Sequence, residues 1–142
     1  MKRLALVVLA LGCAFMVFGC ANQQKKPKAA KATEGLQRIH FDFDRSNIKA
    51  EYEPVLKGNA AWMQANSGSK VTVEGHCDER GSVEYNIALG DRRANSAKSY
   101  MTKLGIPDNR LSTISYGKER PLCTEHNEGC WWQNRRAEFV GR

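Results

Sequence analysis

The sequence predicts an α+β domain, a two-layer sandwich of order β-α-β-α-β-β in which two helices pack on a four-stranded mixed sheet. Three observations carry that prediction. Apolar and polar residues alternate in four short segments, which is the period of a half-buried strand. Between the first three segments apolar residues recur at helical spacing over two longer stretches. The second of these stretches closes on Gly105, with Pro107 just beyond. That is the chemistry of a left-handed helix cap followed by a residue that cannot continue the helix.

Taken in order, the first strand is Arg38 to Phe43, where Ile39, Phe41 and Phe43 alternate with Arg38, His40 and Asp42. Asp44-Arg45-Ser46-Asn47 breaks it, and Ser46 or Asn47 is placed to cap the helix that follows. That helix runs from Ile48 to about Ala65, with Ile48, Tyr52, Val55, Leu56, Trp62 and Met63 as its apolar positions. Asn66-Ser67-Gly68-Ser69 is a turn. Lys70 to His76 alternates again as the second strand, and Asp78 to Ser82 is a loop that Gly81 allows to bend. The second helix spans about Val83 to Leu104, with Ile87, Ala94, Ala97, Met101 and Leu104 as the expected buried stripe. Leu111 to Tyr116 and Arg136 to Val140 are the third and fourth strands, separated by a loop flanked by cysteines.

The front of the chain is different in kind. Lys2 and Arg3 precede an apolar run from Leu4 to Phe18. That run is shorter than the roughly 20 residues needed to span a bilayer and typical of a secretory signal. It ends in Val17-Phe18-Gly19-Cys20 and then Ala21-Asn22-Gln23-Gln24, which resembles the lipobox of bacterial lipoproteins. The resemblance implies that residues 1–19 are a signal peptide and that Cys20 is acylated, with palmitate among its chains, to become the new N-terminus. Cys13 would leave too short an apolar run to serve instead. Each buried methylene contributes about 0.8 kcal/mol, so two or three acyl chains anchor stably. Ala21, where an Asp would retain the product, directs it by the same resemblance to the outer membrane. Residues 20–36 read as the lipidated N-terminus and an Ala- and Lys-rich flexible linker with little to bury. Fully extended, the linker reaches about 50 Å at roughly 3.3 Å per residue. Residues 37–142 are the folded domain, lipid-anchored and facing the periplasm.

Charge narrows the partner classes. The whole chain is +7, but residues 35–142 carry sixteen basic and fourteen acidic groups, a net of only +2. A nucleic-acid binder concentrates basic charge on its folded part, so no nucleic-acid partner is expected. Cys123 and Cys130 flank CTEHNEGC, and in an exported protein such a pair reads as a disulfide. Closing that loop contributes roughly 2.5 kcal/mol by the chain-entropy account. The rival is a zinc site of both thiols with His126, which lacks an obvious fourth ligand. Cys77 reads as a packed, inert thiol.

The candidate binding chemistry gathers after the second strand, in EGHCDERGSVEYNIALGDRRA from Glu74 to Ala94. Asn86 and Arg93 lie two helical turns apart on one face, so Asp78 at the strand end is expected to face Arg93 across a small gap. An arginine fork suits a carboxylate, and an aspartate accepts from an ammonium. A ligand with an amino-acid-like terminus satisfies both. The competing reading is an internal Asp78–Arg93 salt bridge that holds loop to helix. His76 reads as a hydrogen-bonded strand-end residue, and Phe43-Asp44 on its own as a strand end with a turn residue. One of Trp131 and Trp132 reads as packing over the last strand, the other stays open. The three histidines lie in separate segments, and neither an HExxH motif nor a nucleophile elbow occurs. No catalytic residue, metal or cofactor is therefore expected.

These residues resemble the outer-membrane-protein-A-like domain family, specifically its wall-binding lipoproteins. The matching pieces are FDFD at Phe41–Asp44, VTVEGHCDERGSVEYNIALGDRRA at Val71–Ala94, SYGKERP at Ser115–Pro121 and NRRAEFV at Asn134–Val140. The resemblance covers roughly residues 36–142 and, with the lipobox, the whole layout. It implies non-covalent binding of peptidoglycan through the meso-diaminopimelate of its stem peptide. By the same resemblance Asp78 and Arg93 are the principal pair, Asn86 supports them, Phe43 and Asp44 line the pocket, and Arg135 contributes. It also implies a partner in the periplasmic propeller protein of the Tol system, which acts in envelope constriction at cell division. The cysteine pair of CTEHNEGC departs from the commoner form of the family, and Cys77 stands where Ala or Thr is frequent.

Overall fold

The computed structural model describes residues 35–142. The expected signal peptide 1–19, the lipidation site Cys20 and the linker up to residue 34 lie outside the described residues. The elements are β1 (Ile39–His40), α1 (Glu53–Ala65), β2 (Val71–His76), α2 (Val83–Lys103), β3 (Leu111–Gly117), α3 (Glu128–Asn134) and β4 (Arg136–Gly141). One sheet forms in the order β1-β4-β2-β3. β2 and β3 are parallel, and β4 runs antiparallel to both β2 and β1. A parallel pair needs a crossover, and α2 supplies it.

Strand alternation decides the two faces of the sheet. Ile39, Phe41, Val71, Val73, Leu111, Ala137 and Phe139 join Leu56, Ala60 and Met63 of α1 and Ala94, Ala97 and Met101 of α2 in a single buried cluster. Fully burying each large apolar side chain contributes roughly 1.5–3 kcal/mol. Leu36 packs against the same cluster, and Asn59 clamps its neighbour Gln37 through both backbone groups at 2.7 and 2.9 Å. The opposite face of β2 and β4 carries Thr72, Glu74, His76, Arg136 and Glu138.

The layers meet glycine on glycine. A Cβ on Gly75 of β2 would run into the Gly90 carbonyl of α2, and one on Gly90 would strike the Ser115 hydroxyl. Backbone therefore rests on backbone, which fixes how α2 stands over the end of β2. The same contact turns α2 about its axis. Asn86, Leu89, Gly90, Arg93, Ala94, Ala97 and Met101 face inward, whereas Ile87, expected in the stripe, is 39% exposed.

Three further differences from expectation have local causes. β1 pairs only over Ile39–His40, because the chain turns at Asp44, whose φ of 54° ends the extended run. Phe41 still donates its N–H to the Arg135 carbonyl at 2.9 Å. α1 begins at Glu53 instead of Ile48, with neither Ser46 nor Asn47 as its cap. Pro54 sits in its first turn, where a fixed φ and a missing N–H cost nothing. Finally, the cysteine-flanked segment holds a third helix, α3, capped by the Asn127 side chain, which accepts from the Cys130 N–H. Cys123 and Cys130 are disulfide-bonded, with Cα atoms 5.3 Å apart, so the zinc alternative with His126 falls. Among the described residues no helix is long and apolar enough to cross a membrane.

Gly75 and Gly58 make opposite tests of this packing. Gly75→Ala forces the layers apart and is expected to cost about 1–3 kcal/mol or more. Gly58, inside α1, has open space around it, so Gly58→Ala is expected to stabilise by up to about 1 kcal/mol. Urea unfolding midpoints check both, and the reverse order would contradict the packing described.

Candidate functional site

The site stands where β2 ends and α2 begins. Gly81, at φ +95°, bends the connecting loop in a region open to glycine. Ser82 caps α2 by accepting from the Tyr85 N–H at 3.1 Å. Asn86, one turn in, donates to the Arg80 and Ser82 carbonyls at 2.8 and 3.0 Å and so ties the loop to the helix. Lys118 holds the outside of the loop through the Glu79 and Gly81 carbonyls. The result is a rigid hook that presents Asp78 and Arg80 above a cavity of about 180 Å³, walled also by Phe43, Asp44, Tyr85 and Arg93.

Asp78 is buried, at 3% exposure, yet surrounded by donors. Arg80 gives it two side-chain contacts, at 2.6 and 3.2 Å, and a backbone N–H at 3.1 Å. Arg135 adds one at 3.3 Å from behind. Burial alone would raise the Asp78 carboxyl, but the Arg80 hydrogen bonds, helped by Arg135, outweigh it and hold the group below its ordinary value. The acid is ionised at neutral pH.

Arg93 forms the floor and is fully buried. Its Nε donates to the Arg45 carbonyl at 2.8 Å, Nη1 to the His76 carbonyl at 2.8 Å and Nη2 to the Asp42 carbonyl at 3.1 Å. Its guanidinium also lies 5.2 Å from the Phe41 ring centre. The competing reading, an internal Asp78–Arg93 salt bridge, falls: Asp78 pairs with Arg80 and Arg135, while the Arg93 donors are taken up by backbone carbonyls. A guanidinium has five N–H groups, and three of these carry the carbonyls.

The rim is built by α3 and by the turn after β1. The Arg80 guanidinium lies between two aromatic faces, 3.9 Å from the Phe43 ring centre and 4.2 Å from that of Trp131. Trp131 donates its indole N–H to Glu79 at 2.8 Å, and His126 pairs with the same carboxylate. Glu128 engages Arg135, and the Tyr85 hydroxyl donates to Asp44. Asn134 fastens the disulfide segment to this frame through Leu122 and both backbone groups of Cys123. Trp132 is 45% exposed and rests against the His40 ring, with centres 4.8 Å apart.

The family profile named OmpA family matches residues 40–130. A peptidoglycan-associated lipoprotein of Pasteurella multocida is 39% identical over 146 residues, covering 96% of this chain and 97% of its own. The chain belongs to the OmpA family. A peptidoglycan-associated lipoprotein of Agrobacterium fabrum is similar to the same degree, 40% identical over 151 residues, across 94% of this chain and 85% of its own length. The crystal structure of the peptidoglycan-associated lipoprotein from Burkholderia pseudomallei shares the fold with a TM-score of 0.72 at 35% identity, over 74% of this chain and 89% of that one.

The structure thus brings Asp78, Asn86, Arg93, Phe43 and Asp44 to one cavity, with Arg135 directly behind Asp78. Sequence reasoning missed Arg80, Tyr85 and the contribution of α3. Arg80 stands two residues from Asp78, within reach across a tight loop, and Asn127 followed by Glu128 is a helix-start signal. His76 also departs from expectation. Among the described residues neither ring nitrogen has a hydrogen-bond partner, and burial, with Arg136 adding to it, pushes the imidazole down to about 3. Burial likewise pushes the Cys77 thiol up to about 11, which keeps it protonated and inert.

Asp78 makes stability depend on pH in one direction. A carboxyl whose folded pKa is depressed adds stability that is complete above its unfolded value, near 3.9, and is lost as pH falls through the lower folded value. Asp78→Asn is expected to cost roughly 1–3 kcal/mol at pH 7, the worth of charge-assisted hydrogen bonds. The gap from the parent should narrow as pH is taken from 7 to well below the unfolded value, where the parent carboxyl takes up a proton and comes to match the uncharged amide. Urea melts at the two pH values check this, and a gap that widens in acid would contradict it.

Proposed function

We propose that the chain is a non-covalent anchor between the outer membrane and peptidoglycan, gripping the meso-diaminopimelate of the stem peptide. The observation that carries this reading is an ionised, buried carboxylate standing over a buried guanidinium floor in a cavity small enough for one amino-acid end group. Peptidoglycan-associated lipoproteins as relatives support it from outside. The ligand's ammonium takes Asp78, displacing the Arg80 guanidinium that holds that place in the free protein. The ligand's carboxylate is drawn to the remaining edge of Arg93, with Asn86 keeping the loop in register. Phe43, Asp44 and Tyr85 form the wall against which the aliphatic stem lies. Arg135, on its buried ties to Asp78, Glu128 and the Phe41 carbonyl, keeps the acid aimed at the cavity.

The rest of the proposal follows the layout of the chain. Residues 1–19 are the signal peptide, Cys20 carries the acyl anchor, residues 20–36 are the spacer and residues 37–142 the wall-binding domain in the periplasm. The propeller protein of the Tol system is the proposed protein partner, and constriction of the envelope at division the process served. The exposed Trp132 and Phe43 give such a partner an apolar purchase at the rim.

Sedimentation with purified cell wall tests the pocket. Asp78→Ala, checked for folding by its thermal melt, is expected to stay in the supernatant. Arg93→Lys is expected to bind at least tenfold more weakly, because a point charge replaces a planar fork. A folded Asp78→Ala protein that still sediments would sink the pocket, and full retention by Arg93→Lys would reduce the recognition to charge attraction.

A further inference from the structure

On the sheet face turned away from α1 and α2, three potential metal-ligating side chains converge. Glu74 and His76 are two residues apart on β2, so they project to the same side. Glu138 of β4 lies directly across from Glu74 in the antiparallel register. Like charges placed opposite each other on neighbouring strands repel, and burial, then Glu138, raises the Glu74 carboxyl. One ligand atom from each of the three residues lies within 4.8 Å of the others. His76 is 1% exposed and carries two ring nitrogens without a hydrogen-bond partner among the described residues. Buried polar groups that stay unpaired are rare and ask for a cause.

We propose that Glu74, His76 and Glu138 form a site for a divalent transition-metal ion, with zinc(II) as the representative. The separation of the donors favours an ion over a hydrogen bond. His76 Nε2 stands 3.6 Å from Glu74 Oε2, too far for a hydrogen bond. It is close to the edge of a tetrahedron with metal–ligand bonds of about 2.0–2.1 Å, which is roughly 3.4 Å. The two arginines that reach Glu138 converge on one oxygen: Arg136 Nε lies 2.8 Å and Arg38 Nη1 3.5 Å from Oε1. Oε2 carries neither contact, and a carboxylate oriented by hydrogen bonds from behind is the usual support of a ligating group. All three ligands stand on paired strands, which hold their spacing.

The surrounding charge selects the kind of ion. Arg38, Arg136 and Arg120 face the cluster, and the Tyr116 ring packs on His76 with centres 5.5 Å apart. These guanidiniums oppose a hard cation held by charge alone, so calcium and magnesium are disfavoured. A neutral imidazole nitrogen gives the affinity to ions of the zinc class. Three protein ligands leave a fourth position for water or for a partner's side chain.

Calorimetry tests the site with zinc chloride and the full chain in detergent after chelator treatment, with cobalt(II) absorbance as a second readout. One equivalent of zinc is expected to bind the parent, with Glu138→Gln and Glu74→Gln each losing at least tenfold in affinity. Glu138→Gln keeps an oxygen for Arg136, and a thermal melt of each variant without metal checks that it folds. His126→Ala, which breaks the separate exposed Glu79–His126 pair, is expected to leave binding unchanged. The proposal is overturned if zinc does not bind, if both Gln variants bind like the parent, or if His126→Ala removes the binding instead. A cobalt spectrum with thiolate charge-transfer bands would point to Cys77 and overturn it as well.

Discussion

A guanidinium satisfied by backbone carbonyls, with no direct carboxylate partner among the described residues, sits at the centre of this domain, and the site is arranged around it. Arg93 projects from α2 into the space where the turn after β1 meets the end of β2, and its donors hold the carbonyls of Asp42, Arg45 and His76. Two chain segments distant in sequence, the turn at Asp42–Arg45 and the end of β2, are thus fixed to one side chain of α2. An arginine does not shed its proton in a protein, so its charge remains, and the cavity directly above is biased toward anions. Removing it would orphan three carbonyls at once, which is why a role in binding and a role in architecture cannot be separated by deleting it.

The rest of the pocket depends on where α2 is set by the Gly75–Gly90 contact. With backbone against backbone, Asn86 and Arg93 come to the level of the β2 end, and Asn86 can hold the Asp78–Ser82 loop in one shape. Asp78 is then surrounded by Arg80 and Arg135, and its charge is kept despite burial. Arg80 is partly exposed, stacked between Phe43 and Trp131, and paired with Asp78. In the proposed binding mode an ammonium would replace the Arg80 guanidinium at Asp78, which avoids the strong penalty for an isolated buried carboxylate. The disulfide and Asn134 anchor α3, and α3 carries Trp131 and Glu128, so the unusual cysteine pair supports the rim of the cavity.

Much of this was legible in the sequence because it follows from period and punctuation. The strand alternation, the Gly105 and Pro107 stop, and the Asn86–Arg93 spacing each report a local rule, and the mixed four-stranded sheet with its two main helices followed from them. What was not legible depended on geometry between segments. Ile87 fits a helical stripe by spacing, but the glycine contact rotates it outward. Asp78 and Arg93 are complementary in type, yet Arg80 is nearer and Arg93 is engaged by carbonyls that no pattern announces. That the His76 ring nitrogens lack a hydrogen-bond partner among the described residues shows only once β4 brings Glu138 and Arg136 beside it, since backbone register, not composition, sets that neighbourhood.

The most direct measurement is calorimetry of the detergent-solubilised chain with a diaminopimelate-containing muropeptide, against the same muropeptide carrying lysine in its place. The two ligands differ by one carboxylate, so the comparison isolates the contact assigned to Arg93. Binding of the diaminopimelate form with at least tenfold preference over the lysine form is the expected result. Equal affinity for both, or binding of neither, would contradict a site that reads the ammonium and the carboxylate together.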